Sequence, residues 1–150
     1  MTSDNMLNPE AQAVSNILST CRNVAVVGLS PKAHRDSFRV AQYMQANGWR
    51  VVPVNPVAAS SGSRILGEVV YATLTEAAHA EKIDLVNVFR NSIEVPPVVD
   101  EAIALKLPAL WLQLGVRHDA AVAKAYAAGM EVVQDRCLMV DHARSASQRG

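Results

Sequence analysis

Apolar positions along this chain form short unbroken runs, separated by stretches in which they recur at helical spacing. Val24-Ala25-Val26-Val27 is such a run, and it stops at Gly28. Runs of the same kind cover Trp49 to Pro56, Asp84 to Phe89, Ala109 to Gln113 and Glu131 to Gln134. Short continuous apolar runs are the mark of strands covered on both faces, as in a parallel sheet. Between them the period changes. Val14, Ile17 and Leu18 lie on one helical stripe behind Asn8-Pro9-Glu10, which reads as cap, first helical residue and early acid. Phe38, Ala41 and Met44 form a second stripe, which starts near Asp36 or Ser37 and stops at Asn47-Gly48. Thr73 and Glu76 have capping-box spacing. The pattern predicts a helix from Pro96-Pro97 to Leu105, an alanine-rich helix capped by Asp119 and closed by Gly129, and a last helix from Leu138 to about Ser147. Residues 58–63 are small and polar and read as a mobile loop, and Ile65 to Tyr71 as a short irregular strand. Alternating strands and helices with right-handed crossovers predict an α/β, Rossmann-like, open and mainly parallel five-stranded sheet with helices on both faces.

The length of 150 residues fits one domain over residues 1–150, with residues 1–7 and 146–150 as loose termini. Lys plus Arg and Asp plus Glu both number 14, so no net charge exists to attract a nucleic acid. No apolar run approaches the roughly 20 residues of a membrane helix, and no secretory signal pattern opens the chain. Cys21 and Cys137 are in no metal-type spacing, so a reducing cytoplasmic setting is the simplest reading.

Candidate chemistry concentrates after the first run. In Gly28-Leu29-Ser30-Pro31-Lys32-Ala33-His34-Arg35-Asp36-Ser37 a strand end, a tight turn and a helix start coincide. A helix N-terminus presents free N–H groups and a positive dipole end, and so suits a phosphate. First helical turns usually gather acids; this one gathers Lys32, Arg35 and Arg39 against Asp36 alone. Ligands of open parallel sheets sit beyond the carboxyl ends of the strands, where the strand order reverses. That rule adds the exits at Asn55-Pro56, Phe89-Arg90 and Gln113 to Arg117. A nicotinamide dinucleotide fits poorly: only the first glycine of its fingerprint is present, and Asn55 stands where an acid would hold the ribose.

The chain resembles the small stand-alone coenzyme A-binding proteins, which share their domain with the N-terminal part of the succinyl-coenzyme A synthetase α subunit. Matching pieces include Val26 to Pro31, Arg35-Asp36-Ser37, Val52 to Pro56, Ile65-Leu66-Gly67, Asp84 to Arg90, Val95-Pro96-Pro97, Trp111 to Gly115 and Asp135-Arg136-Cys137, in that order. The resemblance implies coenzyme A or an acyl-coenzyme A lying across the strand ends, bound without catalysis. Gly28, Leu29 and Ser30 would let the phosphates approach the backbone, beside Ser37 at the helix start. Lys32 and Arg35 would meet phosphate charge, the 3′-phosphate included. Val54, Asn55 and Pro56 would border the adenosine; Phe89, Arg90 and Pro97 would line the next part of the groove. Gln113 would face the pantetheine arm. Plainer roles compete: Phe89 and Trp111 as core, Pro96-Pro97 as a helix start, Gln113 as a strand-end cap. The synthetase works through a phosphohistidine in a further domain that this sequence lacks, so no acyl transfer is expected of it alone. An NAD(P)-binding enzyme or redox sensor is the alternative, and an interaction module docking to a partner enzyme through an apolar patch, expected on the alanine-rich helix, is another. A homodimer and a partner enzyme both stay open. Arg136 next to Cys137 would favour its thiolate, which raises a mixed disulfide with the ligand's thiol against a plain buried role.

Overall fold

A computed structural model describes residues 8–149; residues 1–7, read above as a loose terminus, lie outside the described residues. The chain runs α1 (Pro9–Thr20), β1 (Asn23–Val27), α2 (Asp36–Ala46), β2 (Arg50–Val54), α3 (Pro56–Ser60), α4 (Leu74–Ala80), β3 (Leu85–Val88), α5 (Val95–Ala104), β4 (Ala109–Leu112), α6 (Asp119–Ala127), β5 (Glu131–Val133) and α7 (Leu138–Arg149). Among the described residues the sheet has five strands in the order β2-β1-β3-β4-β5, and every pairing is parallel. Tyr71 extends it by one residue: its N–H donates to the Pro53 carbonyl at 3.0 Å and its carbonyl accepts from Asn55 N–H at 2.9 Å. With Tyr71 counted as a vestigial strand beyond β2, the order is that of the doubly wound Rossmann sheet, and it reverses between β1 and β3.

Alternation along each strand divides the core in two. Val24, Val26 and Trp111 face α1, α2 and α7, with Ile17, Met44 and Leu138 packed on them. Ala25, Val27, Val86 and Leu110 face α4, α5 and α6, with Leu74, Val99 and Ala125 opposite. Both sides of β1, β3 and β4 are therefore covered, which is why these strands read as continuous apolar runs rather than as alternating ones.

Local differences from the sequence reading have local causes. Of residues 58–63, read as a mobile loop, residues 58–60 belong instead to the short helix α3, because the Asn55 side chain accepts from Val57 and Ala58 N–H at 3.0 and 3.1 Å and so opens a helical turn. The cap of α6 is His118, not Asp119: the His118 Nδ1 accepts from Ala121 N–H at 3.1 Å. Helix α7 continues to Arg149, two residues past the predicted end.

Cys21 closes α1 against the sheet. Its thiol lies 3.3 Å from the Asp84 carbonyl oxygen, to which it donates, and burial together with the nearby Asp84 charge pushes its pKa up to about 11 from 9.0. Unfolding releases this thiol to ionise at its ordinary pKa, so the native state loses stability as pH rises from 9 towards 11. The loss is on the order of 2 kcal/mol. Urea unfolding in reductant at pH 8 and pH 10.5 should therefore show a steeper fall for the wild type than for Cys21→Ala; parallel falls would refute the linkage.

Candidate functional site

Because the strands are parallel, the exits of β2, β1, β3 and β4 lie side by side along one rim, and hydrogen bonds join them. Gly28 N–H donates to the Val54 carbonyl at 2.9 Å, Phe89 N–H to Val27 at 2.8 Å, and Gln113 N–H to Val88 at 3.1 Å. The Asn55 side-chain amide donates to the Leu29 carbonyl at 2.9 Å. The rim residues singled out in the sequence are thus brought together, although several have structural duties of their own.

Gly28 shows this most clearly. Its φ is +90°, and a Cβ there would stand 2.6 Å from the Phe89 carbonyl oxygen and 3.0 Å from Arg90 Cδ. The glycine makes room for the end of β3, not only for a ligand. Its N–H is committed to Val54, and the Ser30 N–H donates to the buried Ser37 hydroxyl at 3.0 Å. The Ser30 hydroxyl in turn accepts from Lys32 N–H at 3.1 Å. These bonds hold the loop in shape and leave the anion-facing donors further along, at α2.

Helix α2 begins without a side-chain cap on Arg35, and its first intrahelical bond is Arg39 N–H to Arg35 carbonyl at 3.2 Å. The amides of Asp36, Ser37 and Phe38 precede that bond and are the unpaired donors every helix start leaves. Side chains cap α1, α3, α4 and α6, and Gln113 Oε1 accepts from Leu138 N–H at the start of α7. Helix α5 also lacks a side-chain cap, but it opens with Pro96 and Pro97, which have no N–H to satisfy. Among the described residues, the α-helix at the switch point is the one that opens with neither a side-chain cap nor a proline. The cations around it also separate. Arg39 pairs with Asp36 and donates to the His34 carbonyl at 3.0 Å. Lys32 and Arg35 are exposed and have no ion-pair partner among the described residues.

Two clefts flank this point. One, of about 420 Å³, lies over the exits of β1 and β2 and is lined by Val54, Pro56, Thr73, Arg90 and Pro97. The other, of about 440 Å³, lies between α2 and α7 and is lined by Arg39, Phe89, Arg90, Gln113, Leu114 and Cys137. Arg90 borders both, held by Glu94 at 2.9 Å.

The plainer readings account for part of each residue. Trp111 is fully buried core, donating through Nε1 to the Arg136 carbonyl at 2.8 Å. Phe89 packs against the core and still lines a cleft. Gln113 is a cap, and it is more. Leu138 N–H and Asn87 Nδ2, both at 3.3 Å, fix its oxygen, so the amide nitrogen of this cleft-lining side chain is the atom left with no hydrogen-bond partner among the described residues. Asn87 is the residue sequence reasoning missed. It lies buried in β3 between Val26 and Trp111 and orients Gln113. The signal was present: a lone amide inside Leu85-Val86-Asn87-Val88 has no reason to be buried unless another polar group needs it. Arg136, expected to favour the Cys137 thiolate, instead forks onto buried Asp141 at 2.7 Å through each of two nitrogens.

Fold and rim together define the class: a Rossmann-like domain with open clefts on both sides of an uncapped, cation-flanked helix start. The chain belongs to the CoA binding domain family, which its residues 22–143 match. It is 35% identical over 138 residues to protein YneT of Bacillus subtilis, covering 92% of this chain and 98% of YneT. The solved structure of protein ID.343 from Thermus thermophilus is 36% identical, with a TM-score of 0.80 over 89% of this chain and 96% of that one. RSP, a Rex-family repressor solved with β-NADH, shares the fold alone, at 17% identity and a TM-score of 0.54 over 90% of this chain and 63% of that one.

Among the described residues no helix is long and apolar enough to cross a membrane. Helix α6, where a docking face was expected, exposes Tyr126 among its alanines.

Proposed function

We propose that this protein binds coenzyme A or an acyl-coenzyme A across the β1–β3 switch point and holds it without a catalytic step of its own. The observation that carries the reading is the open N-terminus of α2 with Lys32 and Arg35 beside it. A positive helix end ringed by unpaired cations is unfavourable when empty and favourable around phosphates. Membership of the CoA binding domain family supports reading them as the phosphates of coenzyme A. In this reading the adenosine occupies the cleft at Val54, Pro56 and Pro97, and the diphosphate passes the α2 amides. Lys32 and Arg35 meet the 3′-phosphate, and the pantetheine arm enters the cleft at Phe89 and Gln113. Arg39 and Arg90, the other cations of the rim, are tied to Asp36 and Glu94. This suits a holding site rather than one that moves protons. A cytoplasmic setting agrees with two free cysteines, and a role as carrier or regulatory subunit of a partner enzyme follows from binding without turnover.

A nicotinamide cofactor is the competing reading, and the Rex-like fold permits it. Against it, the Asn55 side-chain oxygen is spent on the Val57 and Ala58 amides as the cap of α3, and one of its N–H groups on Leu29, so it offers no open acceptor to a ribose hydroxyl. Thermal unfolding with coenzyme A, 3′-dephospho-coenzyme A, NAD and NADP separates the two. Ligand at 100 times its Kd stabilises the fold by about 2.7 kcal/mol, roughly 5–10 °C for a domain of this size. Coenzyme A should give that shift, the dephospho form a smaller one, and the pyridine nucleotides none. A shift with NAD or NADP and none with coenzyme A would overturn the proposal.

A further inference from the structure

We propose that Cys137 captures the bound nucleotide covalently, by exchange with a disulfide of coenzyme A, so that the site stores the thiol in a form released by reductant. This rests on the reading of the site given above. Cys137 is half-buried and lines the α2–α7 cleft. It sits where α7 begins: its carbonyl accepts the first intrahelical bond, from Asp141 N–H at 3.0 Å. Gln113 points to a ligand independently. It is 5% exposed, its oxygen is held by two donors, and its amide nitrogen, which has no hydrogen-bond partner among the described residues, belongs to a side chain lining the same cavity as Cys137. A donor left unpaired on the wall of an open cleft suits an acceptor there, and a pantetheine arm supplies amide carbonyls at intervals along an otherwise aliphatic chain. Exposed Leu114 and Val140 give that chain its apolar wall. An arm drawn past Gln113 leads its sulfur towards Cys137. The α7 start is rigid, because Arg136 is forked onto Asp141 and Trp111 Nε1 holds the Arg136 carbonyl.

The exchange needs only a coenzyme A disulfide as co-reactant. Cys137 gives its proton to solvent, and its thiolate attacks the near sulfur of the bound disulfide. The old S–S bond breaks as the new one forms, and the departing coenzyme A thiolate takes up a proton. Cys137 is oxidised to the level of the mixed disulfide, and one equivalent of ligand thiol is reduced. A second thiol reverses the step. Cys21 provides the contrast: it is 4% exposed and stands outside the rim, at the opposite end of β1.

The test is intact-mass measurement of the full chain, without reductant, after incubation with coenzyme A disulfide. The same protein is titrated with reduced coenzyme A by calorimetry. The expected result is one coenzyme A per chain, mapped to Cys137, lost with dithiothreitol and absent from Cys137→Ser. Excess desulfo-coenzyme A should suppress it. The adduct should form about 100-fold faster than with glutathione disulfide, a modest advantage for a positioned reactant, and Gln113→Leu should shrink that ratio. Binding of reduced coenzyme A without an adduct overturns the capture and leaves the binding reading intact. Equal rates with both disulfides overturn it too, since Cys137 would then be only an accessible thiol. If reduced coenzyme A is not bound at all, the binding reading falls with it.

Discussion

Replacing Gly28 with alanine is expected to destabilise the protein by about 3 kcal/mol or more, among the largest effects of any single methyl group in the chain. Two costs add. The backbone there has φ of +90°, which an L-residue adopts only with strain. The new Cβ would also stand 2.6 Å from the Phe89 carbonyl oxygen, a contact that real structures do not tolerate. Neither strand end can retreat, since Gly28 N–H is bonded to Val54 and Phe89 N–H to Val27. Gly48→Ala is the control: its φ of +88° carries the same backbone strain, and nothing lies within 4 Å of its Cβ. It should cost about 1 kcal/mol. Denaturant midpoints for the two variants measure the difference, and equal losses would show that the β3 crossing does not constrain Gly28.

The second large effect is on binding. Arg35→Ala should weaken coenzyme A by about 1–3 kcal/mol, roughly 5- to 150-fold, the loss of a hydrogen bond to a charged group. Lys32→Ala should act in the same direction. Stability should move the other way. Both side chains lack partners in the free protein and stand at the positive end of α2, so their removal relieves repulsion worth about 0.3–1 kcal/mol. Arg39→Ala behaves differently, because it releases Asp36 as an unopposed carboxylate beside the site. Calorimetry with coenzyme A and its 3′-dephospho form identifies the phosphate concerned. If Arg35 meets the 3′-phosphate, its substitution should matter far less for the dephospho ligand. Affinity unchanged by Arg35→Ala would reduce this cluster to ordinary surface charge.

Much of the architecture was legible before any coordinates. The runs at Val24 and Ala109 are apolar at every position and the run at Leu85 at every position but Asn87, and only a strand covered on both faces requires that. Asn8-Pro9 and Asn47-Gly48 mark helix ends by local chemistry, and both ends lie where that chemistry puts them. The errors were local as well. His118 competes with Asp119 as a cap, and the choice depends on which side chain the turn aims at Ala121. The loop read at residues 58–63 hid the end of a helix because its residues are small and polar, and the cap that starts the helix, Asn55, lies upstream of them. Within the site, charge was legible and pairing was not. Lys32, Arg35 and Arg39 look alike in a row of letters, yet Arg39 alone is neutralised.

What the amino-acid order determined by itself is local: which segments are strands, which are helices, and that a glycine turn and a cationic helix start follow β1. Periodicity and capping act over a few residues, and a linear reading reaches that far. The tertiary structure alone decided which polar groups remain unspent. Gly28 answers to Phe89, 61 positions away by number; Asn87 orients Gln113, and Gln113 caps α7 while its amide nitrogen is left with no hydrogen-bond partner among the described residues. A donor counts as free only after every acceptor the fold brings near it has been found, and those acceptors arrive from distant segments when the sheet closes.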